Sequence, residues 1–398
     1  MPRCSCINCL VPPHILNKLL ESKNKEVRQS ALQTMLLSAR IRGERNVQQS
    51  IAGLGMAGNS RRTVFDCENT TNLTAARTAR SEDGAASADG SVNQAFDGLG
   101  ITRDFFKKVL NRNSIDDRGM RLNGYVHYSE TFNNAFWDGR RMVFGDGDGV
   151  LFSDFTGSLD VIGHELAHGV TEHAAGLIYH NQSGALNESM SDVFGSLVKQ
   201  WHAGQTAADA DWLIGNDIFT PNVDADALRS MKAPGTAFDN PDFGRDPQPD
   251  HMRKFVHLPD TDDGDFGGVH INSGIPNKAF YLTAIHIGGY AWDAPGHIWY
   301  ESLRASNPNT QFQDFAQTTF AKAEELYGAH SDEQKAVAES WREVGIRVGG
   351  RVVRPRKGNV KELRVVEDDN LGALIQQLDA VFTRMKTLLQ EDKARKAS

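Results

Sequence analysis

Cysteine is scarce in this chain, with four residues in 398, and three of them, Cys4, Cys6 and Cys9, crowd into its start. A disulfide framework cannot be built from them, so the fold must rest on a hydrophobic core. Long apolar runs are also missing: no stretch approaches about 18 uncharged apolar residues, so we expect no membrane-spanning helix. The start lacks the apolar core of a Sec signal peptide. A cytoplasmic protein, or one secreted by a non-classical route, is therefore expected.

Charge is distributed unevenly along the chain. The net charge is −8, yet residues 1–45 carry +5, residues 46–348 carry −17 and residues 349–398 carry +4. An acidic body argues against a nucleic-acid partner, which would favour a basic surface. The opposite signs either reflect solubility alone or indicate that a basic end docks on the acidic body, since such fields act over about 8 Å at physiological salt.

Composition and periodicity divide the chain into segments. Helical spacing over residues 12–42 predicts two short amphipathic helices, and a helix pair is predicted over residues 91–112. Strand patterns are frequent between 61 and 144, and helical patterns dominate from 158 onward. We expect a pro-segment at 1–45, a linker with a processing site at 46–60, an N-terminal lobe at 61–178, a helical C-terminal lobe at 179–348 and a basic extension at 349–398.

The basic extension carries an amphipathic pattern. Over residues 371–389, apolar side chains recur at alternating spacings of three and four for three heptads. This pattern predicts a helix that packs on another helix. Docking on the chain's own body and formation of a dimer or of a complex with a partner are both open, because three heptads are marginal alone.

The strongest signal is the run His164-Glu165-Leu166-Ala167-His168. Histidines four residues apart share one helix face, so both imidazoles can bind one metal ion while Glu165 holds a water molecule beside it. A pair of stacked surface histidines is less favoured, because the preceding residues predict a buried helix. Catalytic zinc needs a third protein ligand, and Glu188 in the next helical stretch is the natural source. Asp192, one turn later, can accept the free ring N–H of a ligand histidine.

These motifs resemble the thermolysin family of zinc metalloendopeptidases. The family's order of blocks is matched between Arg62 and Val348 by HELAH, by GALNESMSD twenty residues later, and by Asn133–Trp137, Leu228–Met231 and Gly267–Gly274. The run Cys9–His14 resembles the short propeptide of the protealysin-like branch. The resemblance implies an α+β fold with a β-rich N-terminal lobe, a helical C-terminal lobe and zinc in the cleft between them. It also implies an endopeptidase that is made as a zymogen and hydrolyses peptide bonds with metal-activated water.

The resemblance implies catalytic roles for matching residues. His164, His168 and Glu188 would bind zinc. Glu165 would activate the attacking water and pass its proton to the leaving amine. His270 and Tyr179 would donate hydrogen bonds to the developing oxyanion, each typically worth about 3–4 kcal/mol. Asp192 and Asn187 would orient the ligand imidazoles, and Asp265 would orient His270.

The resemblance also implies how substrate is held. Asn134, Ala135 and Arg229 would bind its backbone. The pocket after the scissile bond would be lined by Phe152, Phe155, Val161, Ile214 and Leu228. All five are apolar, so we expect cleavage before bulky hydrophobic residues, although ordinary core packing is the alternative for these side chains.

One region departs from the family pattern. Thermolysin uses a paired calcium site beside the active-site helix, and Asp160 and Asp211 match two of its carboxylates. The other matching positions hold Lys199, Leu213 and Asn216. Two calcium ions need about four carboxylates. We therefore predict that the paired calcium site is absent and that the Lys199 ammonium takes its place against Asp160 or Asp211.

Residues 1–45 are interpreted as an intramolecular inhibitor of a protease whose substrates are peptides and proteins, with processing between about 43 and 60. Cys4, Cys6 and Cys9 with His14 leave three interpretations: reduced thiols, a thiolate bound to the catalytic zinc, or a separate Cys₃His zinc site. Two other functions stay open. One is a catalytically silent zinc-fold binding protein, and the other is a zinc aminopeptidase, which would need an acidic subsite for the free amine.

Overall fold

A mixed sheet of six strands forms the N-terminal lobe in the computed structural model, which describes residues 8–49 and 61–349. The strands are β1 (Asn8–Cys9), β2 (Arg62–Asp66), β3 (Arg77–Ser81), β4 (Leu122–Val126), β5 (Ala135–Trp137) and β6 (Met142–Phe144). Their order is β1-β5-β6-β4-β2-β3, with β4 parallel to β2 and β6 and the other pairs antiparallel. The edge strand β1 comes from the predicted pro-segment.

Helices dominate from residue 159 onward. They are α4 (Leu159–Ala174), α5 (Asn181–Ala203), α6 (Asp265–Asn272), α7 (Gly274–Ile287), α8 (Ala294–Arg304), α9 (Phe312–Tyr327) and α10 (Asp332–Glu343). Three further helices precede them, namely α1 (Pro13–Leu19), α2 (Lys25–Gln49) and α3 (Gly90–Leu110). Two small antiparallel strand pairs are also present. In one, β7 (Leu213–Ile214) pairs with β8 (Arg229–Ser230), and in the other, β9 (Asp239–Asn240) pairs with β10 (Gly244–Arg245). The predicted α+β architecture, with a β-rich lobe followed by a helical lobe, is confirmed.

The helices α4 and α5 pack against each other at unusually short range. A Cβ atom added to Gly163 would lie 3.0 Å from the Cα of Gly195. A Cβ atom added to Gly195 would lie 2.5 Å from the carbonyl oxygen of Asp160 and 3.1 Å from the backbone nitrogen of His164. Any larger residue at either position would separate the two helices, so these glycines set the distance between the two halves of the site described below.

Residues of the pro-segment belong to the main hydrophobic core. Leu10, Ile15 and Leu19 are buried in the same cluster as Trp299 and Trp341 of the helical lobe. Burying a leucine or isoleucine side chain is worth about 1.5–3 kcal/mol. The apolar positions that predicted helices near the start of the chain therefore dock α1 on the rest of the protein.

Several boundaries differ from the expectations. The helix pair predicted over 91–112 is wrong, because α3 is one helix. Its internal glycines mark close packing rather than a break: a Cβ atom on Gly98 would lie 2.3 Å from the Ile162 side chain, and one on Gly100 would lie 1.9 Å from the Arg62 guanidinium. The second predicted short helix is also longer than expected, since α2 reaches Gln49 and makes the first residues of the 46–60 linker helical.

Other predictions fall outside the described residues. Residues 50–60 and 350–398 lie there, together with the predicted helix at 371–389 and its proposed partner contact. Among the helices that the structure describes, none combines the length and the hydrophobicity that crossing a membrane requires.

An ionic cluster centred on His127 joins the end of β4 to the start of α3. The Nδ1 atom of His127 lies 2.9 Å from both carboxylate oxygens of Asp146, and its Nε2 atom lies 2.9 Å from Asp89. Asp89 also caps α3 by accepting hydrogen bonds from the backbone of Ser91 and Val92. Hydrogen bonding to Asp146 raises the pKa of His127 to about 9; burial opposes this rise and Asp89 adds to it.

We expect the His127→Gln substitution to destabilise the fold in a pH-dependent way. Because the folded-state pKa of His127 is raised, its contribution is complete below about pH 6.5 and is lost as the pH rises through about 9. The difference in unfolding free energy should be on the order of 1–3 kcal/mol at pH 6 and should approach zero near pH 10. Denaturant unfolding of the full chain, with exposed His202→Gln as control, measures it. A difference of constant size across this range would contradict the assignment.

Candidate metal centre

The helix α4 directs two imidazoles to one point. His164 and His168 are buried, and their Nε2 atoms lie 3.0 Å apart. Glu188 on α5 faces them, with carboxylate oxygens 3.6 Å from Nε2 of His164 and 3.5 Å from Nε2 of His168. Among the residues that the structure describes, these three form the group of side chains suited to hold a metal ion, and they are called the metal group below.

The chemistry of this group fits zinc. Two ring nitrogens and one carboxylate oxygen are the donor set of many catalytic zinc sites, and ligands about 2.1 Å from a tetrahedral ion lie about 3.4 Å from one another. The Oε2 atom of Glu188 is buried and accepts no hydrogen bond from any described residue. An unpaired buried carboxylate oxygen is costly, so the site favours a cation.

Side chains on one face of α5 orient the two imidazoles. The Nδ1 atom of His164 lies 2.8 Å from Oδ1 of Asp192. The Nδ1 atom of His168 lies 2.8 Å from Oδ1 of Asn187 and 2.9 Å from Oγ of Ser191. When Nδ1–H donates in this way, the lone pair of Nε2 is directed at the metal. Sequence reasoning missed Ser191, although its helical spacing from Asn187 could have identified it.

The carboxylate of Asp192 connects the metal ligands with the predicted substrate-binding arginine. Arg229 donates from its Nε atom to Oδ2 of Asp192 at 2.9 Å and from a terminal nitrogen to Oδ1 at 2.8 Å. Asn277 on α7 also donates to Oδ2 at 2.8 Å. Burial alone would raise the pKa of Asp192, but Arg229 and His164 hold it below its usual range. Asn277 was not predicted, because no local pattern marks it.

Glu165 lies beside the metal group and has one free oxygen. Its Oε2 atom accepts a hydrogen bond from the backbone nitrogen of Trp137 at 3.0 Å, and its Oε1 atom accepts none from the described residues. Burial, reinforced by the nearby Glu188 carboxylate, raises the pKa of Glu165 well above its usual value. A raised pKa suits a carboxylate that must take up a proton near neutral pH.

A strained turn brings His270 next to Glu188, with its Nε2 atom 3.6 Å from Oε1 of that carboxylate. Asp265 has a positive φ of 54°, and its carboxylate lies 2.5 Å from Nδ1 of His270 and accepts the His270 backbone N–H at 2.8 Å. Burial alone would lower the pKa of His270, but Asp265 and Glu188 raise it to about 9. Tyr179 donates to Glu188, and its hydroxyl lies 3.2 Å from Nε2 of His270. Gln248, which was not predicted, donates to the His270 carbonyl at 2.8 Å.

The groups expected to bind a substrate backbone contact the pro-segment. The Leu10 backbone N–H donates to the Ala135 carbonyl at 3.3 Å, and Arg229 donates to the Leu10 carbonyl at 3.2 Å. The Asn134 side chain accepts the Val11 N–H at 2.9 Å and donates to the Val11 carbonyl at 3.4 Å.

The five residues expected to line the apolar pocket are all buried. Phe152, Phe155, Val161, Ile214 and Leu228 belong to the same core cluster as Leu10. Phe152 and Phe155 stack on each other, and Phe152 also packs on Phe219 and Phe243. This aromatic packing is the core role left open above, so their part in the pocket stays a prediction.

Cys9 enters the site through its backbone. Its carbonyl oxygen lies 3.0 Å from Nε2 of His270, and Cys9 is not a member of the His164, His168 and Glu188 group. Burial raises the pKa of the Cys9 thiol to about 12. The absence of Cys9 from that group favours an ordinary reduced thiol over a zinc-bound thiolate. Cys4 and Cys6 lie outside the described residues.

Comparison with known families covers most of the chain. Residues 42–172 match the catalytic domain of the thermolysin metallopeptidases, and residues 175–346 match their alpha-helical domain. The two matched regions meet at the C-terminal end of α4.

Individual relatives match over nearly their whole length. An extracellular metalloprotease of Pectobacterium carotovorum subsp. carotovorum is 44% identical over 349 residues, which span 87% of this chain and 97% of that protein. Protease PrtS of Photorhabdus sp. (strain Az29) is 43% identical over 347 residues, or 85% of this chain and 92% of that protein. The solved precursor of protealysin, a metalloproteinase from Serratia proteamaculans, superimposes with a TM-score of 0.77 at 45% identity and covers 85% of this chain and 99% of its own.

Fold, metal group and relatives together define a zinc metalloendopeptidase. The chain belongs to the thermolysin family, and its similarity to a protealysin precursor assigns it to the protealysin-like branch. The predicted family, enzyme class and zymogen character are confirmed.

Because Asp192 orients His164, we expect the Asp192→Asn substitution to lower zinc affinity by about 10–100-fold. Competition between the full chain and a chelating dye measures the affinity directly. The exposed β9 residue Asp239, changed to Asn, serves as the matched control and should leave zinc affinity unchanged. Equal affinities of the two variants would show that Asp192 does not tune the metal site.

Proposed function

We propose that the latent chain is a precursor whose mature form cleaves internal peptide bonds before bulky hydrophobic residues. The observation that carries this proposal is the course of the pro-segment backbone through the site, where the strand β1 (Asn8–Cys9) is followed directly by Leu10 and Val11. Asn8 pairs with Trp137 on one side of Cys9, and Leu10 and Val11 are bound on the other. A cleft that binds backbone both before and after Cys9 supports endopeptidase activity.

We assign His164, His168 and Glu188 to zinc. Bound there, zinc supplies a Lewis acid that polarises the scissile carbonyl and makes water acidic enough to react near neutral pH. Glu165 accepts the proton of the attacking water through its free Oε1 atom and delivers it to the leaving amine. Its raised pKa and its anchor on the Trp137 backbone support this role.

His270 and Tyr179 are assigned to stabilise the oxyanion. The Cys9 carbonyl already lies 3.0 Å from Nε2 of His270, which supports donation to a substrate carbonyl at the same position. With Nδ1 held by Asp265, Nε2 of the protonated ring is free to donate. Asn134, Ala135 and Arg229 fix the backbone that follows the scissile bond. Leu10, fully buried in their midst, supports a preference for an apolar residue at that position.

The two rival functions are less well supported. A silent binding protein would have no use for the buried, mutually oriented set of Glu165, Glu188 and His270. An aminopeptidase would bind a free amine where the pro-segment instead continues through Asn8.

Latency is assigned to the pro-segment, because it engages the groups that substrate needs. The helix α2 anchors it through hydrogen bonds to the segment before β5, among them Ser30 to the Thr131 carbonyl at 2.8 Å, Gln33 to Ser129 at 2.6 Å, and the Asn133 N–H to Thr34 at 2.9 Å. The name of the Pectobacterium relative places that protein outside the cell. We therefore favour export over a cytoplasmic location for this chain.

Hydrolysis of a fluorogenic peptide should appear only after limited proteolysis of the zinc-loaded chain within residues 50–60. Activity should be lost with a chelator and return with zinc. Glu165→Gln should lower kcat by about 10²–10⁴-fold because general acid–base catalysis is lost. Glu172→Gln on the same helix is the matched control.

Three results of this assay would contradict the proposal. Retained activity of Glu165→Gln would refute the role of the carboxylate. Hydrolysis of free-amine peptides alone, with N-acetylated peptides untouched, would indicate an aminopeptidase. Tight zinc binding without hydrolysis of any peptide would indicate a binding protein.

Lys199 supports the proposed absence of the paired calcium site. Its Nζ atom lies 2.8 Å from Oδ1 of Asn216, 2.9 Å from Asp211 and 3.5 Å from the buried Asp160. Burial opposes the charge of Lys199, but Asp160 and Asp211 outweigh it and raise its pKa. The ammonium thus neutralises the carboxylates that calcium would otherwise bridge.

We expect the melting temperature of the zinc-loaded chain to be insensitive to added calcium and to a calcium-selective chelator. Lys199→Met should destabilise the fold by about 1–3 kcal/mol, because Asp160 loses its counter-charge. Lys335→Met, which removes an exposed lysine paired with Asp332, is the control. Metal analysis that finds two tightly bound calcium ions would refute the prediction.

A further inference from the structure

The pro-segment lies in the cleft in the register of a substrate. The Cys9 carbonyl faces His270 at 3.0 Å, and the next carbonyl along the chain, that of Leu10, faces Arg229 at 3.2 Å. Between these two carbonyls, the Leu10 N–H donates to Ala135. The peptide bond that joins Cys9 to Leu10 therefore lies where the proposed mechanism expects a scissile bond, with its carbonyl at the oxyanion donor.

A hydrogen bond links Glu165 to β5, the strand that pairs with β1. The Glu165 carboxylate is fixed by the backbone nitrogen of Trp137, and Trp137 is the strand partner of Asn8, the residue immediately before Cys9. The proposed general base is therefore anchored on the β5 residue that pairs with β1 on the carbonyl side of the bond. Leu10 on the amine side is fully buried, as the proposed preference for a hydrophobic residue requires.

We propose that the Cys9–Leu10 peptide bond is hydrolysed by the chain's own active site within the latent molecule, and that the nicked chain remains latent. This inference rests on the proposed function. Water adds hydroxide to the Cys9 carbonyl carbon and a proton to the Leu10 nitrogen as the C–N bond breaks. The products are a carboxyl group on Cys9 and an amine on Leu10, and no further reactant is needed.

The nicked chain stays latent because the amine side of the cut is held independently of the bond. Val11 keeps both hydrogen bonds to Asn134, and α1 stays buried through Ile15, Leu16 and Leu19. The hydrogen bonds from α2 to the segment before β5 are also unaffected by the cut. Leu10 and Val11 therefore continue to occupy the groups that would bind substrate after the scissile bond.

The test follows the mass of the full chain after zinc is added to chelator-treated protein. We expect a chain that begins at Leu10 and a released fragment Met1–Cys9, formed at a rate that does not depend on protein concentration. No hydrolysis of an added fluorogenic peptide should accompany the cut. Hydrogen exchange within α1 should be unchanged, which reports docking of the pro-segment independently of activity.

Variants separate this cut from cleavage by another molecule. The Glu165→Gln chain should remain intact at Cys9–Leu10 even when active processed enzyme is added, because the bond is enclosed in its own cleft. Leu10→Asp should slow the cut by roughly 10–100-fold, since a carboxylate is poorly accepted in an apolar pocket. Leu10→Met and the surface variant Leu36→Asp should retain it. Cutting of the Glu165→Gln chain at this bond by added enzyme would overturn the proposal.

The remaining outcomes distinguish this inference from the proposed function. If the processed chain hydrolyses peptide while the zinc-loaded latent chain keeps its Cys9–Leu10 bond, the inference is wrong and the proposed function stands. If the latent chain is cut and gains peptidase activity at the same rate, the inference that the nicked chain stays latent is wrong. If the processed, zinc-loaded chain hydrolyses no peptide, the proposed function itself fails.

Discussion

The close contact between α4 and α5 is the constraint on which the site depends. Gly163 and Gly195 allow the two helix backbones to meet, and this contact sets Glu188 opposite the imidazoles of His164 and His168. Three buried polar side chains are costly unless they are paired or bind a cation, so the packing of the apolar faces must supply the free energy that holds them together. The metal site is therefore a product of helix packing as much as of its ligands.

The pro-segment occupies the groups of the site that are expected to bind a substrate backbone. It adds a strand to the edge of the sheet and engages the hydrogen-bonding groups of β5 through its backbone, a mode of peptide recognition that depends little on side chains. Arg229 joins this strand to Asp192, so the group that grips the Leu10 carbonyl also braces a residue that orients His164. Binding of backbone in the cleft and orientation of the metal ligands are thus physically linked.

Much of the architecture was predictable because its signals are local. The helical spacing that predicts helices from residue 158 onward is a property of a single helix face, and α4 and α5 lie in this part of the chain. The helix pair expected at 91–112 was wrong for a reason that no local pattern contains. Gly98 and Gly100 look like breaks in the sequence, but their partners, Ile162 and Arg62, are distant in the chain.

That His164 and His168 share one helix face could be predicted from the sequence alone, since a helix turns once in 3.6 residues and HELAH must present both histidines together. The resemblance to the thermolysin family extended the predicted site to Glu188 on α5 and to His270 in the run Gly267–Gly274. The folded chain alone decided that Asn277 and Gln248 support Asp192 and His270, and that Cys9 offers its carbonyl rather than its sulfur to the site. Such contacts join segments far apart in the chain, and only tertiary packing fixes which atoms meet.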